Sequence, residues 1–214
     1  LSYTRAMTAA LIFTETPRRI LLLGLGGGSL AKFFLHHFPD VRIDAVEYRE
    51  TVHRVAVEYF ALPRESRLSV QFQDAGEFIR LAGAQHFGNY DLILVDAFVH
   101  NGIAESVCGA TFFEACRARL SAGGMLAMNM WSSDSLAIDE LLGDIQLTFE
   151  GGILTVPLSG RDNIIAFAGA EPVSRKQLRG LKDRALSLQA SLKVEYPAFL
   201  RSMRQPGRWK WPWQ

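Results

Sequence analysis

The 214-residue chain is poor in several features, and each shortage excludes a class of protein. Cysteine is almost absent: Cys108 and Cys116 sit in no metal-ligand spacing, which argues against a zinc site or a disulfide framework and fits a reducing compartment. Charge of one sign is lacking too, since 23 Lys and Arg against 22 Asp and Glu leave a formal net charge of +1. Such a balance makes no field strong enough to argue for a nucleic-acid partner. Arg175, Lys176, Arg179, Lys182 and Arg184 do gather on one late segment, where the simplest reading is the solvated face of a helix. No window approaches about eighteen uninterrupted apolar residues, and the N-terminus lacks the charged start and apolar core of a secretory signal. A soluble, cytoplasmic protein without a membrane partner or a metal is therefore expected.

What is present is an alternation. With 49% hydrophobic residues the chain can bury one substantial core. Apolar runs near 20–25, 41–46, 68–73, 90–96, 123–130, 152–158 and 163–169 read as strands. Helical patterns fall between them near 29–38, 49–60, 76–84, 109–120 and 133–147, with Pro39, Pro63 and Gly123-Gly124 marking their ends. Strands alternating with helices are the signature of βαβ units on a parallel sheet. The last two strands are joined only by Ser159-Gly160-Arg161-Asp162 and read as a hairpin. The expected fold is therefore α/β, a doubly wound and mostly parallel seven-stranded sheet with an antiparallel C-terminal hairpin. That is the methyltransferase type of Rossmann fold.

A nucleoside-binding Rossmann domain is expected over 1–170, behind a short N-terminal lead-in, followed by a C-terminal segment over 171–214. In that segment Leu178, Leu181, Ala185, Leu188 and Leu192 recur at helical spacing from Val173 to Leu192 and predict an amphipathic helix packed on the domain or a partner. Trp209, Trp211 and Trp213 alternate with charge and proline in the tail, which is expected to dock its rings on its own or a neighbouring subunit.

The chemistry concentrates at the predicted strand ends. The first strand runs into Gly24-Leu25-Gly26-Gly27-Gly28-Ser29, where glycines let the backbone turn tightly and let a ligand approach the N-terminus of the next helix. Glu47 ends the second strand, about twenty residues on, where an acid can accept both hydroxyls of a ribose. Asp74, followed by Ala75, ends the third and could accept from an adenine amino group or merely cap the following helix. Asp96 ends the fourth, where its charge would attract a cationic sulfonium or amine. Gly24, Gly26, Gly27, Gly28, Glu47, Asp74, Ala75 and Asp96 are thus the candidate binding residues. Asp96 and the nearby loop residue His100, an imidazole able to titrate near neutrality, are the catalytic candidates. His100 could equally be an exposed loop residue. His36 and His37 fall on the first helix, away from this edge, and Asn129 and Trp131 read as pocket lining or packing.

On these residues the chain resembles the spermidine/spermine synthases, aminopropyltransferases with a methyltransferase-like Rossmann domain. The carrying segments are Ile20 to Ser29, Glu47, Gln73-Asp74-Ala75, Tyr90 to Asp96 and Gly102-Ile103-Ala104-Glu105-Ser106, within a similarity spanning about residues 3 to 170. Family members read Asp-Ser-Ser-Asp-Pro-Val-Gly-Pro-Ala-Glu-Ser where this chain runs from Asp96 to Ser106. The resemblance implies decarboxylated S-adenosylmethionine, S-adenosylmethionine or methylthioadenosine as ligand, a small-molecule amine or another acceptor, and a homo-oligomer such as a homodimer. Glu105 matches the family's glutamate, which implies a residue able to contact substrate, but it equally suits the approach to the helix beginning near Gly109.

The departures are equally specific. Val99 stands where the family has the aspartate that helps deprotonate the attacking amine, and Gly27 where it has the aspartate that holds the aminopropyl ammonium. An alkyl amine with a pKa near about 10 is almost wholly protonated at neutral pH, and valine cannot take its proton. Tyr3-Thr4-Arg5-Ala6-Met7-Thr8-Ala9 resembles a family segment but carries Arg5 and Ala9 in place of an acid and a histidine. The family's small β-rich leading domain has no counterpart among the nineteen residues before Ile20. Part of the polyamine site is then absent, encoded upstream, or supplied by another chain. Three functions remain open on sequence: an aminopropyltransferase-like enzyme, an S-adenosylmethionine-dependent methyltransferase, and a noncatalytic nucleoside-binding or assembly module.

Overall fold

The computed structural model describes residues 1–81, 90–99, 102–131, 135–150, 152–158, 163–169, 173 and 175–206. Its strands are β1 (Arg19–Leu23), β2 (Arg42–Glu47), β3 (Leu68–Phe72), β4 (Tyr90–Val95), the two-residue pair β5 (Phe98–Val99) and β6 (Gly102–Ile103), β7 (Leu120–Trp131), β8 (Ile153–Pro157) and β9 (Asn163–Gly169). The helices are α1 (Ser2–Met7), α2 (Ser29–His37), α3 (Glu50–Tyr59), α4 (Ala75–Leu81), α5 (Ala110–Arg119), α6 (Ser135–Thr148), α7 (Arg175–Gly180), α8 (Lys182–Leu192) and α9 (Tyr196–Ser202), with a 3-10 turn over Thr8–Ile12.

Seven strands form one sheet in the order β3-β2-β1-β4-β7-β9-β8. Strands β3, β2, β1, β4 and β7 pair in parallel, while β9 is antiparallel to both β7 and β8. The hairpin expected at the end of the chain therefore exists, and its second arm inserts between β7 and β8. Order reverses between β1 and β4, the point at which α/β sheets open a crevice beyond their carboxyl ends.

The central strands are continuous apolar runs because both faces of the sheet are covered. Ile20 and Leu22 of β1 face a cluster with Met7, Ile12, Phe34, Ala56, Ala185 and Tyr196, whereas Leu21 and Leu23 face one with Phe78, Phe112, Phe113, Ile138 and Ile145. Helices α1, α2, α3, α8 and α9 thus contribute to one layer and α4, α5 and α6 to the other. No helix among the described residues is long and apolar enough to cross a membrane.

Several expectations are corrected in detail. Gly123 and Gly124 do not end a helix: α5 stops at Arg119 and β7 starts at Leu120. The glycines lie inside β7, where its register against β4 shifts and a Cβ on Gly124 would come within 2.8 Å of the Tyr90 carbonyl oxygen. The helix expected from Val173 to Leu192 is divided between α7 and α8 at Gly180 and Leu181, although Leu178, Leu181, Ala185, Leu188 and Leu192 all pack against the core as their spacing demands. Arg184 is no part of a solvated face, since its guanidinium donates to the carbonyls of Leu11 (3.0 Å) and Thr14. Arg179 and Lys182 are exposed as expected. His36 is exposed and His37 half-buried. His100 and the three tail tryptophans lie outside the described residues.

One element unforeseen from sequence, helix α9, ties the C-terminal segment to the N-terminal one. Helix α9 begins with Tyr196, a fully buried ring whose hydroxyl meets the Thr8 hydroxyl at 3.0 Å. Thr8 gives its own proton to the Arg5 carbonyl, so Tyr196 is the donor of the pair. Arg5 and Glu195 add an ion pair at 2.9 Å, and Thr155 on β8 exchanges two backbone hydrogen bonds with Arg204, at 2.7 and 3.0 Å. We expect Tyr196→Ala to cost about 3–5 kcal/mol in urea denaturation and Tyr196→Phe about 1 kcal/mol. An alanine loss below that of the phenylalanine variant would contradict this brace.

Candidate functional site

The strand ends that sequence singled out converge. Gly24 follows β1, Glu47 closes β2, Asp74 lies just beyond β3 and Asp96 just beyond β4, and all four line one cavity of about 410 Å³. Tyr3, Gly26, Val46, Tyr48, Arg49, Val52, Ala75, Ala97, Phe98, Ala104 and Ser106 complete its wall. Six of the eight binding candidates are thus brought together. Gly27 and Gly28 are not among the cavity's lining residues: a Cβ on Gly27 would meet the Phe60 ring at 3.5 Å, and one on Gly28 would run into the Leu62 side chain at 2.5 Å.

Gly24 cannot be another residue. Its φ is +97°, and a Cβ there would lie 2.3 Å from the Asp96 carbonyl oxygen. The close approach follows from β1 and β4 being neighbours: the Asp96 amide donates to the Leu23 carbonyl, and the Gly24 amide to the Val46 carbonyl, each at 2.8 Å. Three strand ends are locked at this one glycine.

Each acid is held differently. Glu47 is buried, and its two oxygens accept from the amides of Leu25 (3.2 Å) and Arg49 (3.0 Å). One hydrogen bond to each oxygen fixes the carboxylate and leaves further lone pairs for a ligand. Asp74 does cap α4, accepting from the Glu77 amide at 2.8 Å, and still lines the cavity. The helix-cap and cavity readings are both satisfied, because its other oxygen takes the Ser106 hydroxyl at 2.7 Å and is turned toward the 102–106 loop. That loop packs tightly, since a Cβ on Gly76 would sit 1.9 Å from the Ser106 carbonyl oxygen. Ala104 and Ser106 line the cavity while Glu105 between them is exposed.

Asp96 is the most constrained. Burial pushes its carboxyl above the usual range, and hydrogen bonds from Asn129 (2.9 Å) and Tyr3 pull in the opposite direction. It also lines a second depression, of about 280 Å³, with Tyr3, Phe98, Asn129, Trp131 and Asn163. Asp96 therefore stands where two cavities meet. Tyr3 escaped the sequence-based selection although it opens the family-like Tyr3–Ala9 stretch, and Asn163 had no signal beyond its place after a hairpin turn. Among the described residues no group of three or more His, Cys, Asp or Glu could hold a metal. Cys108 and Cys116 are both free thiols.

No protein-family profile matches the chain. A polyamine aminopropyltransferase from Chromobacterium violaceum is 33% identical over 212 residues, covering 96% of this chain and 77% of that protein. The chain belongs to the polyamine aminopropyltransferase family. Methyltransferases stand beside that family among the relatives: the eEF1A lysine and N-terminal methyltransferase of Mus musculus is 28% identical over 204 residues, 92% of this chain but 27% of that protein. Among solved structures, human methyltransferase-like protein 13 in complex with SAH aligns with a TM-score of 0.78 at 23% identity, covering 100% of this chain and 97% of that one. Spermidine synthase from Thermotoga maritima aligns at 0.75 and 16%, covering 96% and 71%, and a spermidine synthase in complex with the transition-state analogue AdoDATO aligns equally. These structural likenesses show the fold, a methyltransferase-type Rossmann sheet shared by the methyltransferase and the spermidine synthases.

The environment of Asp96 fixes a pH dependence. A carboxyl whose folded-state pKa lies above its unfolded value contributes its stability below the unfolded pKa, about 3.9, and that contribution is lost as pH rises through the folded value. Asp96→Asn is accordingly expected to melt higher than wild type at pH 8, with the gap closing as pH falls toward about 4. A variant that melts lower than wild type at pH 8 would contradict the buried-carboxylate assignment.

Proposed function

We propose that the chain is a transferase that binds an adenosyl sulfonium, S-adenosylmethionine or its decarboxylated form, and moves a group from it to an amine. The observation that carries this reading is the set of three acids at three successive strand ends on one cavity. In the proposal Glu47 takes the ribose hydroxyls, Asp74 the adenine amino group, and Gly24 and Gly26, lacking side chains, let the ligand approach the protein backbone at the sheet edge. Asp96 faces the sulfonium. The complexes of methyltransferase-like protein 13 with SAH and of spermidine synthase with AdoDATO support an adenosyl ligand for this fold.

Transfer requires an uncharged amine nitrogen to attack a carbon bonded to the sulfonium. The carbon–sulfur bond breaks, its electron pair returns to sulfur, and a neutral thioether leaves. The amine must first lose a proton. Asp96 is suited to take it, because its raised pKa makes it a stronger base than an exposed carboxylate, and it borders the second depression where an acceptor would lie. His100 is the second candidate for that role.

Within this reading a methyl donor is favoured over an aminopropyl donor. Position 27 has no side chain and position 99 is valine, so neither supplies the acid that would hold an aminopropyl ammonium or activate a polyamine. Incubation with S-adenosylmethionine, or with decarboxylated S-adenosylmethionine plus putrescine or spermidine, followed by chromatography, separates the readings. SAH as product supports methyl transfer and methylthioadenosine supports aminopropyl transfer. Binding of either donor with neither product would favour a noncatalytic nucleoside-binding module, and binding of none would overturn the proposal.

A further inference from the structure

Behind Asp96 runs a chain of two amides. Asn129 Nδ2 donates to Asp96 Oδ1 at 2.9 Å, and Asn163 Nδ2 donates to Asn129 Oδ1 at 3.0 Å. Asn129 is almost fully buried near the end of β7, and Asn163 opens β9, opposite Trp131 in the antiparallel register. The polarity of this chain is dictated by its first member. An ionised carboxylate can only accept, so Asn129 must turn its NH2 toward Asp96. Its carbonyl then faces away and needs a donor, which Asn163 supplies.

We propose that Asn163, acting through Asn129, is a positioning residue that keeps Asp96 ionised and aimed at the junction of the two cavities. It rests on the proposed adenosyl-sulfonium site and adds the residues that keep its negative charge in place. Without the Asn163 donor, the buried Asn129 carbonyl would be left unsatisfied, and the amide could flip to present oxygen to the carboxylate. Both outcomes penalise the charged form of Asp96. Burial already pushes that carboxyl upward, and the Asn129 hydrogen bond that the relay sustains opposes that push. The other polar groups on the shared cavity wall do not replace the relay. Tyr3 from α1 supplies a second hydrogen bond, Glu47 and Asp74 bring like charge, and Arg49 provides the one cation among the residues lining the larger cavity.

The relay also explains why an insertion of β9 between β7 and β8 matters for the site. A residue more than thirty positions from Asn129 in sequence reaches it only because β9 pairs directly with β7. The sheet's antiparallel strand thereby contributes a donor to the Asn129 carbonyl, whose amide NH2 in turn donates to the carboxylate just beyond β4.

The test compares the cationic S-adenosylmethionine with the neutral thioether SAH by calorimetry from pH 5 to 9, using wild type, Asn163→Leu and Asn163→Gln. Leucine keeps the approximate volume without a donor, and glutamine keeps the donor. The leucine variant is expected to lose about fivefold in preference for the sulfonium over the thioether, with the pH at which that preference disappears shifted upward. The glutamine variant should stay within about twofold of wild type. Equal weakening of both ligands by leucine would mean a merely structural role and overturn the proposal, as would an unchanged preference. Should leucine fail to fold, loss of the preference in a folded Asn129→Ser variant supports the relay and its retention overturns it. If wild type binds neither ligand, the adenosyl reading fails and the relay's function with it; if wild type binds both and no variant alters the preference, only the relay fails.

Discussion

The site depends on one electrostatic constraint: a carboxylate, Asp96, largely withdrawn from water where two cavities meet. A buried carboxylate without partners would neutralise itself or unfold its surroundings. Here it is kept by two side-chain donors, Tyr3 from the N-terminal helix α1 and Asn129 from the central strand β7. The arrangement costs stability, which is what makes it suited to receive a cation. A positive ligand supplies the charge that burial took away, so attraction is stronger there than at an exposed acid of the same type.

The rest of the fold can be read as support for that carboxylate. Neighbouring parallel strands β1 and β4 bring Gly24 against the Asp96 backbone so closely that no side chain fits between. Helix α1 carries Tyr3 and is tied to the C-terminal helices through Thr8 and Tyr196 and through Arg5 and Glu195. Strand β9, lodged between β7 and β8, supplies Asn163 behind Asn129. The apolar core beneath is two-sided, with alternate residues of β1 feeding opposite layers, and so holds the strand ends at fixed spacing.

Much of this was legible from sequence because it is periodic or local. Runs such as Ile20–Leu23 and Leu92–Val95 are long enough to declare buried strands, and the glycine loop after the first and the acid after the second announce the carboxyl edge of the sheet. Glu47, Asp74 and Asp96 could be assembled that way without any contact information. The glycine loop was only half legible: Gly24 and Gly26 reach the cavity, but the direction of Gly27 and Gly28 depends on α3 and the segment after it, where Phe60 and Leu62 sit. Tyr3, Asn129 and Asn163 could not be linked to Asp96 in advance, since their meeting is created by strand order and by the packing of α1. Helix α9 and the break between α7 and α8 escaped for a related reason: both are short, and tertiary contacts at Tyr196 and Arg184 decide them.

The most direct test of the central claim is the charge dependence of ligand affinity at Asp96. Dissociation constants for S-adenosylmethionine and SAH, measured by calorimetry at pH 8 for wild type and Asp96→Asn, isolate the contribution of that one negative charge. The account predicts that wild type prefers the sulfonium by about tenfold and that the asparagine variant loses the preference while still binding SAH as wild type does. Retention of the preference by the asparagine variant would contradict it.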